Sequence, residues 1–228
     1  NEMVGREYLP AEYLAQLDGL EIGPSILQVY LGVDHDYRPV FNGAHAISVF
    51  ETYDYRQEHQ YWTEGNVDKL SFFIVNYSVT EPGVAPPGKN VIVITAYMTY
   101  DWKSGWYEGE SYKKYQALKD EVAGTLIRRA EKILPKLGSH VEVMEVGSPR
   151  TMEHYTLNPK GAIYGWTVNM KQSGPARLAQ ETPIPNLYLA GVWTRSGHGQ
   201  MAALTSGNDA AAKIVEQDKK AAEESAAE

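Results

Sequence analysis

The chain of 228 residues is 43% hydrophobic and 22% charged, which predicts a folded protein with one large domain or two small ones. Its formal charge is −8 and its Lys and Arg residues form no cluster, so we do not expect nucleic acid as a partner. The absence of cysteine excludes disulfides, zinc–thiolate sites and a cysteine nucleophile. No apolar run is long enough to span a bilayer, so we expect a cytoplasmic protein, with peripheral membrane contact as an open alternative.

The first part of the chain switches from a helical pattern to strand patterns. Leu9, Tyr13, Leu14 and Leu17 recur at helical spacing and predict a helix within 8–20. Runs of β-branched and aromatic residues then predict strands over 25–34, 44–50, 70–79 and 90–100. The last of these is apolar enough to be a central strand, and the Pro- and Gly-rich loop before it predicts a hairpin connection over 80–89.

A helical pattern runs from Glu110 to Leu134. Its apolar positions recur every three or four residues, at Tyr115, Leu118, Val122, Leu126, Ala130 and Ile133. Residues 140–146 alternate as a half-buried strand, and Ser148 followed by Pro149 is typical of a helix start. We therefore expect an α+β fold for residues 1–150, in which a mainly antiparallel sheet of at least four strands is covered by the helix at 110–134.

The stretch "NLYLAGVWTRSGHGQMAALTSGNDAA" (186–211) predicts a strand at Leu187–Ala190, a glycine-rich loop and a helix that starts near Gln200. Its G-x-G-x-x-A pattern is not a dinucleotide-binding fingerprint, because Gly197 lies about seven residues beyond the strand and no second strand with an acidic end follows. A helix entered through glycines nevertheless presents unpaired N–H groups to an electron-rich atom.

Four segments in the last third of the chain carry a family resemblance. These are "YGW" (164–166), "TPIPNLYLAGVWT" (182–194), "GHG" (197–199) and "ALTSGNDAA" (203–211). Together they resemble the C-terminal signature of the phytoene desaturase family of FAD-dependent oxidoreductases, which includes carotenoid desaturases, carotenoid isomerases and retinol saturases. Residues 9–34 are similar, more loosely, to the start of that family's substrate-binding domain.

The resemblance implies a division into functional segments. Residues 1–150 would form a substrate-binding-type domain, residues 151–217 would return a strand, loop and helix to a Rossmann-like FAD-binding domain, and residues 218–228 would be a charged tail. No G-x-G-x-x-G occurs in residues 1–150, and the chain begins at Asn1 and not at methionine. We therefore expect the C-terminal portion of an enzyme, which holds FAD weakly or not at all without an N-terminal half.

The resemblance also implies a set of site residues. The cofactor would contact Gly191, Val192, Gly199, Gln200, Met201 and Ala202, and the substrate would contact Tyr164, Gly165, Trp166 and His198. The helix N-terminus would face the N1–C2=O edge of the flavin, where hydride uptake places negative charge. No catalytic residue and no metal ligand is assigned. The expected partners are an apolar small-molecule substrate and either an N-terminal chain or a second copy, since an uncovered strand at 187–190 tends to pair.

Three functions remain open from the sequence. The first is hydride transfer between flavin and an extended apolar substrate, the second is a non-catalytic binding module, and the third is an amine oxidase-like activity. Hydrolysis is disfavoured because Ser196 and Ser206 lack a G-x-S-x-G elbow, and His35 and His154 have no partner at metal or triad spacing. The aromatic run 97–107 is more typical of a core than of a tunnel lining.

Overall fold

The computed structural model describes residues 4–109 and 111–227. By their contacts the residues divide into a sheet unit, Pro24–Ile163, and a terminal unit, Asn1–Gly23 with Tyr164–Glu228. In the described ranges the right-handed helices of eight or more residues are α1 (Ala11–Asp18), α2 (Tyr55–Glu64), α3 (Tyr112–Ala130), α4 (Pro149–Thr156) and α5 (Gln200–Ala227). No helix among the described residues combines the length and the apolar character needed to cross a membrane.

The sheet unit is built on an antiparallel sheet of five strands. In chain order these are β1 (Ser25–Val33), β2 (Ala46–Val49), β3 (Phe72–Asn76), β4 (Asn90–Met98) and β5 (Val141–Gly147). Their spatial order is β2-β3-β4-β1-β5, so β4 is the central strand, as its apolar sequence predicts. The predicted loop at 80–89 lies in the connection between β3 and β4, which pair antiparallel. The expectation of an α+β fold with an antiparallel sheet is confirmed.

The long helix α3 packs its apolar stripe on one face of this sheet. Alternate residues of the sheet, among them Leu27, Val29 and Ile94, form a single buried cluster with Leu118, Val122 and Leu126 of the helix. Each such side chain stabilises the fold by about 1.5–3 kcal/mol when it leaves water. Glu110, the first residue of the predicted helix, lies outside the described residues.

The helix after β5 begins as the sequence predicts. The Ser148 hydroxyl accepts from the Thr151 N–H, and the Thr151 side chain accepts from the Ser148 N–H, which forms a reciprocal cap. Pro149 at the first helical position has no N–H to satisfy. This cap positions α4 directly beyond the end of β5.

The aromatic run 97–107 contributes to the core. Trp106 is fully buried, and its Nε1 donates a hydrogen bond to the Thr99 carbonyl oxygen at 3.2 Å. The segment Lys103–Tyr107 that holds this side chain is left-handed, with Ser104 at φ 55°. The interpretation of this run as core is confirmed for Trp106.

The terminal unit has little regular structure besides α1 and α5. The predicted strand at Leu187–Ala190 is not formed in this structure, where Tyr188 makes a single isolated bridge with Glu181. A strand needs a neighbour that exchanges hydrogen bonds along its length, and within the described chain the segment has only this short pairing. The predicted helix near Gln200 is present and extends to Ala227, so it includes most of the charged tail.

Candidate functional site

The Tyr164–Trp166 segment contacts the loop that follows Tyr188. A Cβ built on Gly165 would lie 2.7 Å from the Val192 carbonyl oxygen, so only glycine permits this approach. The Trp166 Nε1 donates a hydrogen bond to the Trp193 carbonyl oxygen at 2.8 Å, and the two indole rings meet edge to face with centroids 4.8 Å apart. The structure therefore brings two predicted substrate residues together with the predicted cofactor residue Val192.

Tyr164 and His198, the other two predicted substrate residues, also contact each other. Their ring centroids are 5.0 Å apart with the planes at 48°. Tyr164 is half-buried and His198 is exposed. The segment 164–166 thus touches the glycine-rich loop at two places, through Val192 and Trp193 and through His198.

A buried hydroxyl pair fixes the turn at Gly191. The Gly191 N–H donates to Ser206 Oγ at 3.0 Å, and the Thr194 hydroxyl donates to the Gly191 carbonyl oxygen at 2.9 Å. The two hydroxyl oxygens lie 2.8 Å apart, and both residues are fully buried. Ser206 therefore ties helix α5 to the turn, a role that its sequence context does not indicate because its partners lie 12 and 15 residues away.

The buried side chain of Arg177 donates hydrogen bonds to the backbone at the end of the Tyr164–Trp166 segment. Its side chain is 2% exposed, and its Nη2 donates to the carbonyl oxygens of Trp166 at 2.8 Å and Thr167 at 3.2 Å. Its Nε donates to the Gln172 carbonyl oxygen at 3.0 Å, while its Nη1 has no hydrogen-bond partner among the described residues. Burial lowers the pKa of this guanidinium from its ordinary value. The sequence gives no local signal for this role, since an arginine between loops is usually solvated.

The start of α5 presents backbone donors beside open space. The Ala203 N–H donates to the Gly199 carbonyl oxygen at 3.0 Å. The N–H groups of Gln200, Met201 and Ala202 come before it, in the first turn of the helix, where backbone donors have no partner within the helix. Gly199 has a φ of 87°, and a Cβ built there would meet no atom within 4 Å. Met201 is 75% exposed, so this helix end is accessible.

These groups fit the electron-rich pyrimidine edge of a flavin. Three N–H groups at a helix N-terminus are donors for a carbonyl oxygen and a ring nitrogen that gain negative charge, and the open space at Gly199 leaves room for a flat ring. The Gly191 N–H is not available as a donor to a flavin, because it already donates to Ser206 Oγ. Gly191 allows a close approach, since its φ is 104° and a Cβ added there would meet no atom within 4 Å.

The remaining histidines of interest contact other aromatic rings. His35 stacks on His140 with centroids 4.6 Å apart, and the His140 Nδ1 lies 2.8 Å from Asp34 Oδ1. His154 lies edge-on to Tyr155 at 4.9 Å. Within residues 4–109 and 111–227 no group of three or more His, Asp or Glu side chains could hold a metal ion.

Comparison with known proteins identifies relatives along most of the chain. The chain is 24% identical over 189 residues to an all-trans-retinol 13,14-reductase from Danio rerio, covering 77% of this chain and 31% of that protein. It is 30% identical over 190 residues to a chloroplastic prolycopene isomerase from Daucus carota, covering 81% of this chain and 28% of that protein. The family resemblance seen in the residues is thereby confirmed. No protein-family model matches the sequence.

The chain spans about three tenths of the length of these curated relatives. Among solved structures, an oxidoreductase from Methanosarcina mazei aligns with 90% of this chain and 37% of its own, at 16% identity and a TM-score of 0.45. That structural likeness is too distant to assign a role to any residue.

Proposed function

We propose that this chain, a relative of the all-trans-retinol 13,14-reductases and prolycopene isomerases, forms the C-terminal portion of an FAD-dependent oxidoreductase of the phytoene desaturase type. Its reaction would be hydride transfer between flavin and an extended apolar substrate of the carotenoid or isoprenoid kind. The observation that carries the proposal is the cluster in which Gly165 and Trp166 contact Val192 and Trp193, on the loop that leads into the N-terminus of α5.

A flavin bound at this site would supply hydride exchange with carbon. The residues of this chain would then have three tasks. The N–H groups of Gln200, Met201 and Ala202 would stabilise negative charge at the cofactor edge. Ser206 and Thr194 would hold the Gly191 turn in place.

The aromatic side chains of the cluster would orient the substrate and exclude water, which is the third task. Trp166 and Tyr164 offer large apolar faces, and Arg177 fixes the backbone of Trp166 and Thr167 from the buried side. Exposed apolar side chains of the sheet unit are a separate argument for an apolar substrate. On the face of its sheet away from α3, Tyr30 is 41%, Phe73 38% and Val143 62% exposed.

The proposal also includes a second polypeptide region that completes the FAD site. The ADP half of FAD would be held by an N-terminal region or partner chain, and the chain alone would bind FAD weakly or self-associate. A cytoplasmic or peripheral membrane location is proposed with it. The expected domain roles, with 1–150 for substrate and 151–217 for the cofactor, stay predictions.

The test is an FAD titration of this chain co-expressed with the nucleotide-binding region of a relative. Two results together would support the proposal. Flavin should co-purify with the pair, and under anaerobic conditions a carotenoid or retinoid should either reduce the oxidised flavin or reoxidise the reduced flavin. Turnover of a polar amine in place of the polyene would favour the amine oxidase-like alternative. A pair that assembles but binds no FAD would favour the non-catalytic binding module.

A further inference from the structure

The sheet unit contains a large cavity that the proposed flavin site does not use. Its volume is about 830 Å³, within the range of small-molecule sites. Residues of α3, α4, β1 and the C-terminal end of β5 line it, and all of them belong to the sheet unit.

A buried cation reaches this cavity from α3. Lys119 is 8% exposed, and its Nζ donates to the Val146 carbonyl oxygen at 2.9 Å and lies 5.0 Å from the centroid of the Tyr115 ring. An ammonium has three donors, and no carboxylate forms an ion pair with this one among the described residues. Buried charges are normally paired, so Lys119 has capacity for an anion.

A second cation, Arg150, reaches the same aromatic ring from α4. Its guanidinium carbon lies 5.6 Å from the Tyr115 centroid, and it likewise forms no ion pair with a described carboxylate. The Tyr115 hydroxyl is fixed by Ser148 Oγ at 2.8 Å and Thr151 Oγ1 at 2.9 Å, so the ring that both cations approach is held in place.

The charge of the cavity is opposite to that of the chain. Among its described lining residues Lys119 and Arg150 are cationic and Glu145 is the single acid, whereas the whole chain has a formal charge of −8. Tyr112, Tyr155 and Met152 add apolar surface to the same lining. Two cations without carboxylate partners among the described residues, set beside aromatic rings, are suited to a flat molecule that carries one anionic group.

We propose that this cavity binds a small organic anion, with its phosphate or carboxylate group at Lys119 and Arg150 and its apolar body against the tyrosines. Glu145 limits the affinity by repulsion and excludes ligands with a second anionic group on that side. The site lies wholly in the sheet unit, and the proposal does not depend on flavin binding.

The test is calorimetric titration of the full chain with phenyl phosphate, benzoate, inorganic phosphate and phenol. We expect phenyl phosphate or benzoate to bind more tightly than either inorganic phosphate or phenol, because only the first two combine a charge with an apolar body. Lys119→Met and Arg150→Gln should each weaken binding by about tenfold or more, the effect of one charge-assisted hydrogen bond.

Two further variants separate this role from a structural one. Lys113→Met, an exposed lysine on the same helix, should leave binding unchanged. Glu145→Gln should tighten binding about two- to fivefold, because it removes a repulsive charge. Thermal unfolding verifies that each variant is folded, and if Lys119→Met is unfolded, the pair Arg150→Gln and Glu145→Gln still carries the test.

Three results would overturn the proposal. The first is no binding of phenyl phosphate or benzoate by the unmodified chain, and the second is equal binding by the folded Lys119→Met or Arg150→Gln variant. The third is binding only to vesicles that contain phosphatidic acid, which would identify a membrane surface in place of a soluble anion.

Discussion

Replacing Gly165 with alanine tests the contact on which the candidate site is built. Gly165 has a φ of 72°, in the left-handed region, and an added Cβ would lie 2.7 Å from the Val192 oxygen and 3.1 Å from its carbonyl carbon. The backbone strain costs about 1–2 kcal/mol. These two nearest atoms are main chain and cannot rotate away, so the loop itself must move.

The expected loss exceeds that of strain alone. Crowding of this kind adds about 1–3 kcal/mol, so Gly165→Ala should lower the free energy of unfolding by about 3 kcal/mol. Gly174→Ala is the matched control, because Gly174 has a φ of 53° but no atom within 4 Å of an added Cβ. It should lose only the strain, about 1–2 kcal/mol.

Denaturant unfolding followed by tryptophan fluorescence measures both variants. The near-ultraviolet circular dichroism of the Trp166–Trp193 pair should also decrease in Gly165→Ala, because its loop is displaced. Equal losses in the two glycine variants, with an unchanged dichroism signal, would refute the close approach of residue 165 to the loop.

Three other substitutions test supporting features of the structure. Arg177→Lys should lower the free energy of unfolding by about 2 kcal/mol in denaturant titration, because one ammonium cannot replace the forked donors to the Trp166 and Thr167 carbonyls. Ser206→Ala should cost about 1–3 kcal/mol by the same measurement, since it leaves the Gly191 N–H without its acceptor. Burial, reinforced by a hydrogen bond to a nearby glutamate, raises the pKa of Tyr100 to about 12. The contribution of Tyr100 to the free energy of unfolding is therefore complete below pH 10 and is lost as the pH rises toward 12. We expect a decrease of about 1–2 kcal/mol over this range, because the ring is partly exposed, and Tyr100→Phe should abolish this decrease.

The strands and the long helix could be predicted because their patterns are local. Residues of β1 and β4 alternate or run apolar, and α3 repeats its apolar positions at helical spacing. Helix α2 was not predicted, because "YRQEHQYWTE" has no continuous apolar stripe. Its ends did carry signals, since Asp54 accepts from the Arg56 and Gln57 N–H groups and Gly65 ends the helix at a φ of 66°.

The candidate site could be predicted in part. Site residues at 164–166, 191–192 and 198–202 were identified by resemblance, and the structure brings Gly165 and Val192 into contact. Arg177 was not identified, because its acceptors belong to other loops and leave no periodic trace in the sequence. The strand at 187–190 was predicted from its apolar character and from the family resemblance, neither of which supplies the neighbouring strand that a ladder requires.

The most direct test of the flavin site is the FAD affinity of Ala202→Asp, measured by titration of the chain paired with the nucleotide-binding region of a relative. Two like charges about 4 Å apart repel by roughly 4 kcal/mol at an effective dielectric constant of 20, so a carboxylate at the start of α5 should weaken FAD binding by about two orders of magnitude or more. Ala211→Asp, an exposed position further along the same helix, should bind FAD like the unmodified pair. Equal FAD affinity in Ala202→Asp and the unmodified pair would contradict the placement of the flavin at this helix end.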